Sequence, residues 1–284
     1  MENVPYEDLE RPSLVEEEKA IVDQINNLQT QLDTVRRKQG KYSVKIAVPG
    51  ETFSKDLSQD QSEHVTDEVF NAASHMVGFM LSLLGTVYLI AEASAHGAPW
   101  SIVSFSIYGA CMMNLFISST LHHGLHGSDL INKRFRMLDF CAIYPMIAGT
   151  YTPMCIVYLH GQVVGWVFLG SIWAIALMGM GLTIALFPDH LPKWVPFVFY
   201  ITMGWMSVFL VAALTKYLHW LGLFLLILGG VFYTVGGIIY TSEKPAALIA
   251  GHFGFHEIWH IFVLLGAGSH FALMFYVVLP ESYD

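Results

Sequence analysis

The stretch FGFHEIWHIFVLLGAGSHFALMFYVVLP, residues 253–280, opens on the pattern H-E-x-x-H and continues as an apolar run long enough to cross a bilayer. In a soluble chain, His256, Glu257 and His260 would read as a zinc metalloprotease helix with the glutamate as general base. Here the pair of histidines stands at the mouth of a lipid-length segment. The first question is therefore what surrounds it.

Much of the rest of the chain has the same character. Of 284 residues, 54% are hydrophobic and 13% charged, and the mean hydropathy is +0.51. An ordinary soluble domain carries about 25% charged residues, so the composition is that of a membrane protein. Residues 1–68 are polar, whereas from Asn71 to Pro280 charges fall mostly in short clusters between apolar runs. The net charge of -9 excludes a general nucleic-acid binder. Cys111, Cys141 and Cys155 all lie in apolar runs, form no CxxC pair and read as small packing residues. The first apolar run begins only near residue 72, which argues against a cleavable signal peptide.

Seven segments have the length and apolarity of spans: 72–92, 98–121, 138–159, 163–186, 194–214, 219–241 and 257–278. Turn-forming stretches such as HGAP, HGSD, HGQ, FPDHLPK and SEKP separate them, and Pro192 and Pro196 blur the start of the fifth. The expected fold is an all-α, integral membrane seven-helix bundle. The basic residues Arg36–Lys45, Lys55, Lys133, Arg134, Arg136, Lys193 and Lys244 alternate to one side, against Lys216 alone on the other. The positive-inside rule then puts the N-terminus in the cytoplasm and the C-terminus outside. The division expected is 1–65 as a cytoplasmic N-terminal extension and 66–284 as the membrane domain. Within the extension, residues 12–38 repeat Leu14, Ile21, Ile25, Leu28, Leu32 and Val35 at helical steps, the mark of an amphipathic helix. Such a helix would lie on the bundle's cytoplasmic face, or pair with a second copy or another protein.

Ionisable groups in a span are costly and face the bundle interior or a cavity. Following the alternating topology, Ser119 and His123 at the end of the second span share a depth with Asp139 at the start of the third. His256 and His260 start the seventh span on that side, as do Glu68, Asn71 and His75 in the first. Two histidines at i and i+4 can hold one ion, and a third from another helix gives a three-histidine site with water in a fourth position. The carboxylate of Asp139 is placed to hold that water or to orient a ligand histidine, and the residues leave both open. Glu257 lies about 100° round the helix from His256, so it reaches in or caps the start of the span. Lone histidines near span ends are usually packing residues, the reading given to His122, His126 and His252, and by itself to His75. The pairing of Glu68 with Asn71 suits capping, gating or support of the site.

The segments SSTLHHGLH, LDFCAIYPMIAGTYTP and GHFGFHEIWHIFVLLG, with E-x-x-N-x-x-x-H at Glu68, Asn71 and His75, resemble the hemolysin III proteins and the wider progestin and adiponectin receptor (PAQR) group. The resemblance runs from about residue 66 to 279 and rests on four motifs in order. It implies a seven-helix bundle with zinc near the cytoplasmic side, held by His123, His256 and His260. Asp139 would hold the zinc-bound water, with Ser119 beside it. In activity it implies ceramidase-like hydrolysis of lipid amides. His122 departs from the resemblance, since an aromatic residue is common there, and so does Phe140 after the aspartate. The function expected is a membrane-embedded, zinc-dependent hydrolase of a lipid amide or ester. The membrane lipid is its substrate or ligand, and the site lies near the inner leaflet of the plasma membrane, or of the inner membrane in a bacterium. The rival is a non-enzymatic receptor or structural membrane protein with a structural zinc. An intramembrane metalloprotease ranks lower because no DG pair follows His260 to supply a downstream aspartate ligand. A channel or hemolysin ranks lower because the polar residues cluster at one end.

Overall fold

The computed structural model describes residues 14–38, 68–125, 128–187, 192, 194–244, 248 and 253–281. The basic residues Lys41, Lys45, Lys55 and Lys193, and His126, His190 and His252, lie outside them. The chain divides into two compact units, Met1–Ser54 and Lys55–Asp284. The first contains the helix α1, Leu14–Lys38, in which Thr30 and Gln31 bond back one turn to Asn26 and Asn27.

The second unit is the membrane-spanning bundle, all-α among its described residues. Its helices are α2 (Glu68–Ala95), α3 (Pro99–Gly124), α4 (Asp129–Pro153), α5 (Val163–Leu186), α6 (Trp194–Trp205), α7 (Ser207–Leu214), α8 (Trp220–Ser242), α9 (Phe255–Leu273) and the short α10 (Leu279–Glu281). Seven spans result: α2, α3, Leu130–Tyr158, α5, Trp194–Leu214, α8 and Phe255–Glu281. Each is long and apolar enough to cross a bilayer.

Short connections make consecutive spans neighbours, and the contacts go round a closed circuit. The helix α2 packs on α3, α3 on α4, α4 on α5, α5 on α6, α6 on α8, α8 on α9, and α9 returns to α2. The helix α4 also touches α6. Without water to drive helices together in lipid, small residues at the seams let backbones approach. Gly109 of α3 takes up Thr86 of α2, and Gly179 of α5 takes up the ring of Tyr144 of α4; a methyl group at either would collide. Tyr144, Phe105, Tyr108 and Phe116 are among the large side chains fully closed off by this packing.

The spans differ from hydropathy in three ways. The third begins about nine residues before the apolar run, because the charged turn KRFR is helical and continues the span beyond its apolar part. Two spans finish in π-helical turns, Met154–Tyr158 directly after Pro153 and Met274–Val278, and the Tyr158 hydroxyl donates to the Val277 carbonyl across them. The fifth span is broken at Met206. The hydroxyl of Tyr151 sits in the break, 3.0 Å and 2.5 Å from the Met203 and Gly204 carbonyls, and accepts the Ser207 N–H at 2.9 Å. One side chain satisfies backbone groups that an interrupted helix leaves over.

Candidate metal centre

The circuit brings the start of α2, the end of α3, and the starts of α4 and α9 to one end of the bundle. There His123, His256 and His260 converge, exposed by only 1%, 5% and 2%. Each offers a ring nitrogen within 4.8 Å of the others. The Nε2 atoms of His123 and His256 are 3.3 Å apart. His256 and His260 are one turn apart on α9, so helix geometry aligns them; His123 arrives from α3. Among the described residues this is a cluster able to coordinate a metal ion.

The surroundings are specific. The Nδ1 of His123 meets the Glu68 carboxylate at 2.5 Å, an arrangement that fixes the ring and leaves Nε2 turned to the other histidines. The ring of His75 stacks on His260 at 3.9 Å and meets Phe116 edge-on. Tyr240 stands edge-on to His256 at 5.6 Å. Glu257 is turned away: its Oε2 accepts the Gly254 N–H at 2.7 Å, and its Oε1 accepts from Asn71 Nδ2 at 3.2 Å. It caps α9 and ties that helix to α2. Of the two roles open to this glutamate, the structure gives it the cap.

Asp139, about three turns into α4, lines one cavity with Ser119 and His256. It forms a second group of potential ligands with His122 and His123, again within 4.8 Å. His122 is buried, its ring is 4.5 Å from that of His123, and its Nδ1 has no hydrogen-bond partner among the described residues. From the sequence alone, His122 reads as a packing residue. Its place where an aromatic residue is common was the available signal. The three cysteines are free and buried, as small packing residues should be.

From this end a cavity of about 380 Å³ runs into the bundle. Ser119, Asp139, His256 and His260 line its polar end, and Met154, Val211, Leu226 and Ile227 are among those lining the apolar remainder. The size is in the range of small-molecule sites, which are apolar with a few convergent polar groups.

Fold and site together define a seven-helix membrane protein with a buried histidine cluster able to coordinate a metal. The chain belongs to the family described as Haemolysin-III related, which it matches over residues 63–271. It is 37% identical over 221 residues to Hemolysin-3 of Bacillus cereus, an alignment covering 78% of this chain and 96% of that protein. To the Hemolysin-3 homolog of Bacillus subtilis (strain 168) it is 39% identical over 215 residues, 75% of this chain and 96% of the other. Monocyte to macrophage differentiation factor of Homo sapiens is 32% identical over 177 residues, 61% of this chain and 69% of that protein.

Proposed function

We propose that the protein is a membrane-embedded zinc-dependent hydrolase of a lipid amide or ester, with His123, His256 and His260 holding the zinc. The observation that carries this is the 3.3 Å separation of the His123 and His256 Nε2 atoms next to Asp139 and an apolar cavity. Two nitrogens bound tetrahedrally to one zinc at ~2.0–2.1 Å stand about 3.3–3.4 Å apart. When bound, zinc supplies Lewis acidity toward a carbonyl oxygen and acidifies water.

The chain's own groups do the rest. Glu68 holds the His123 ring in the tautomer with Nδ1–H toward the carboxylate, so Nε2 keeps its lone pair for the metal. Asp139 takes a proton from the attacking water and returns it to the leaving nitrogen or oxygen, which yields acid and amine or alcohol. Ser119, in the same stretch of cavity lining, donates its hydroxyl to the developing oxyanion or to the water. The apolar length of the cavity takes the acyl chain. The base role falls to Asp139 because both Glu257 oxygens are engaged by Gly254 and Asn71, which also weighs against a metalloprotease. The membrane domain in this reading is 66–284, with the N-terminal extension and the metal cluster on the cytoplasmic side of a plasma or bacterial inner membrane, and an amphipathic α1 as the surface for a partner or second copy.

The rival reading is a receptor or structural protein in which the metal only ties α3 to α9; it draws on the ligands coming from helices far apart in sequence. Asp139→Asn separates the two. In purified protein it should retain zinc by elemental analysis and lose roughly 10²–10⁴-fold of its lipid-amide hydrolysis, the usual worth of a general base. Retained zinc with unchanged turnover would refute the hydrolase.

A further inference from the structure

Arg136 lies three residues before Asp139 on α4, so the two share a helix face and stand about one turn apart. Both line the cavity, together with His122 and His256. The guanidinium lies 5.7 Å from the ring centroid of Phe140 and 6.0 Å from that of Phe187. Its Nε is buried and hydrogen-bonds to no group among the described residues. No carboxylate among them stands within ion-pair distance of it. Two features set it apart from a charge that merely marks the cytoplasmic side: the aromatic walls and its place in the cavity lining. Arg134, two residues earlier, is exposed.

A guanidinium packed beside two neighbouring rings and half-enclosed beside apolar surface wants an anion. Its fork of donors fits a carboxylate with two parallel hydrogen bonds. The position is informative because Asp139 marks where the scissile bond lies in the proposed reaction. One helical turn is ~5 Å, so the anion belongs to the same molecule, a few bonds from that carbonyl. A carboxylate two bonds from an amide nitrogen meets this requirement, whereas a neutral diol or ethanolamine headgroup offers no charge to the arginine. Resting on the hydrolase reading, we propose that Arg136 binds the carboxylate of an acidic lipid amide, and that the preferred substrate class is the N-acyl amino acids.

The test compares N-oleoylglycine with N-oleoylethanolamine, which share a chain and an amide and differ in the carboxylate. Zinc-loaded protein in phosphatidylcholine nanodiscs should prefer N-oleoylglycine by about tenfold in kcat/KM, the worth of one charged hydrogen bond. Arg136→Gln should bring the two substrates to near parity through KM, Arg136→Lys should recover part of the preference, and Arg134→Gln should keep it. Displacement of a fluorescent fatty acid by the same two amides, measured on Asp139→Asn protein, reads the preference without turnover. Displacement that favours N-oleoylglycine, with no hydrolysis by the wild type, would sink the hydrolase and leave the Arg136 site standing. Equal affinities in the wild type, or a preference that survives Arg136→Gln, would overturn the proposal.

Discussion

The third and fifth spans are both apolar, yet they do opposite jobs. In the most apolar stretch of Leu130–Tyr158, 72% of residues are buried inside the protein; in Trp194–Leu214 only 17% are. The third span carries Asp139 at the site, Tyr144 in the seam with α5, and Tyr151, whose hydroxyl repairs the break in the fifth. The fifth turns Phe209 outward and contributes a cavity wall that includes Val208 and Val211. Hydrophobicity alone does not distinguish a helix that organises a membrane protein from one that separates it from lipid. The difference lies in the polar and aromatic groups that find partners across helices.

Substitutions can break that contrast, starting with the site end of the bundle. Replacing His260 with Ala should reduce zinc from about one per protein to near zero by elemental analysis. It should also remove the metal's stabilisation, which is about 4 kcal/mol when free zinc is a thousandfold above its Kd. Full zinc occupancy in this variant would show that the cluster is not the metal site. Glu68→Gln should weaken zinc binding by roughly 10–100-fold, as expected for an outer partner of a ligand histidine, and chelator competition measures it. An unchanged affinity would reduce the Glu68–His123 contact to packing.

Smaller effects fall on the border between the two spans. Tyr151→Phe keeps the ring and removes only the hydroxyl at the break, which should cost about 1–2 kcal/mol. Hydrogen exchange around Ser207 should rise with it. The matched control is Phe209→Leu, on the fifth span with a side chain 80% exposed, expected within about 0.5 kcal/mol of wild type in thermal unfolding. Equal losses in the two variants would mean that the fifth span is held as tightly as the third.

Much of this architecture is legible in the residues. Seven apolar runs of bilayer length give seven spans, since a lipid-exposed segment leaves no other backbone solution. Alternating topology puts Ser119, His123, Asp139, His256 and His260 at one end, where the structure brings them together. What the sequence leaves hidden has particular causes. The third span starts early because a hydropathy window detects contact with hydrocarbon, and the charged turn before Leu138 continues the helix past it. The break at Met206 has no proline and becomes visible only through the Tyr151 hydroxyl opposite. Glu68 and Asn71 lie one turn apart, yet one meets His123 and the other Glu257, a pairing set by how α3 and α9 lean on α2. His122 and Arg136 are ambiguous as single letters. A histidine near a span end is usually packing, and an arginine there is usually a topology signal.

The division of the clustered histidines between α3 and α9 has a consequence for how the protein is made. His123 enters the bilayer with the second span, whereas His256 and His260 arrive with the seventh, 133 residues later for the nearer one. While the ribosome is still producing the intervening helices, no pair of these ligands exists. An ion held by these three histidines would not guide the early insertion steps and would only seal a bundle whose circuit is already closing. If the three-histidine cluster is the metal site, loading would mark the end of biogenesis, and a chain arrested before α9 should integrate into the membrane without the ion.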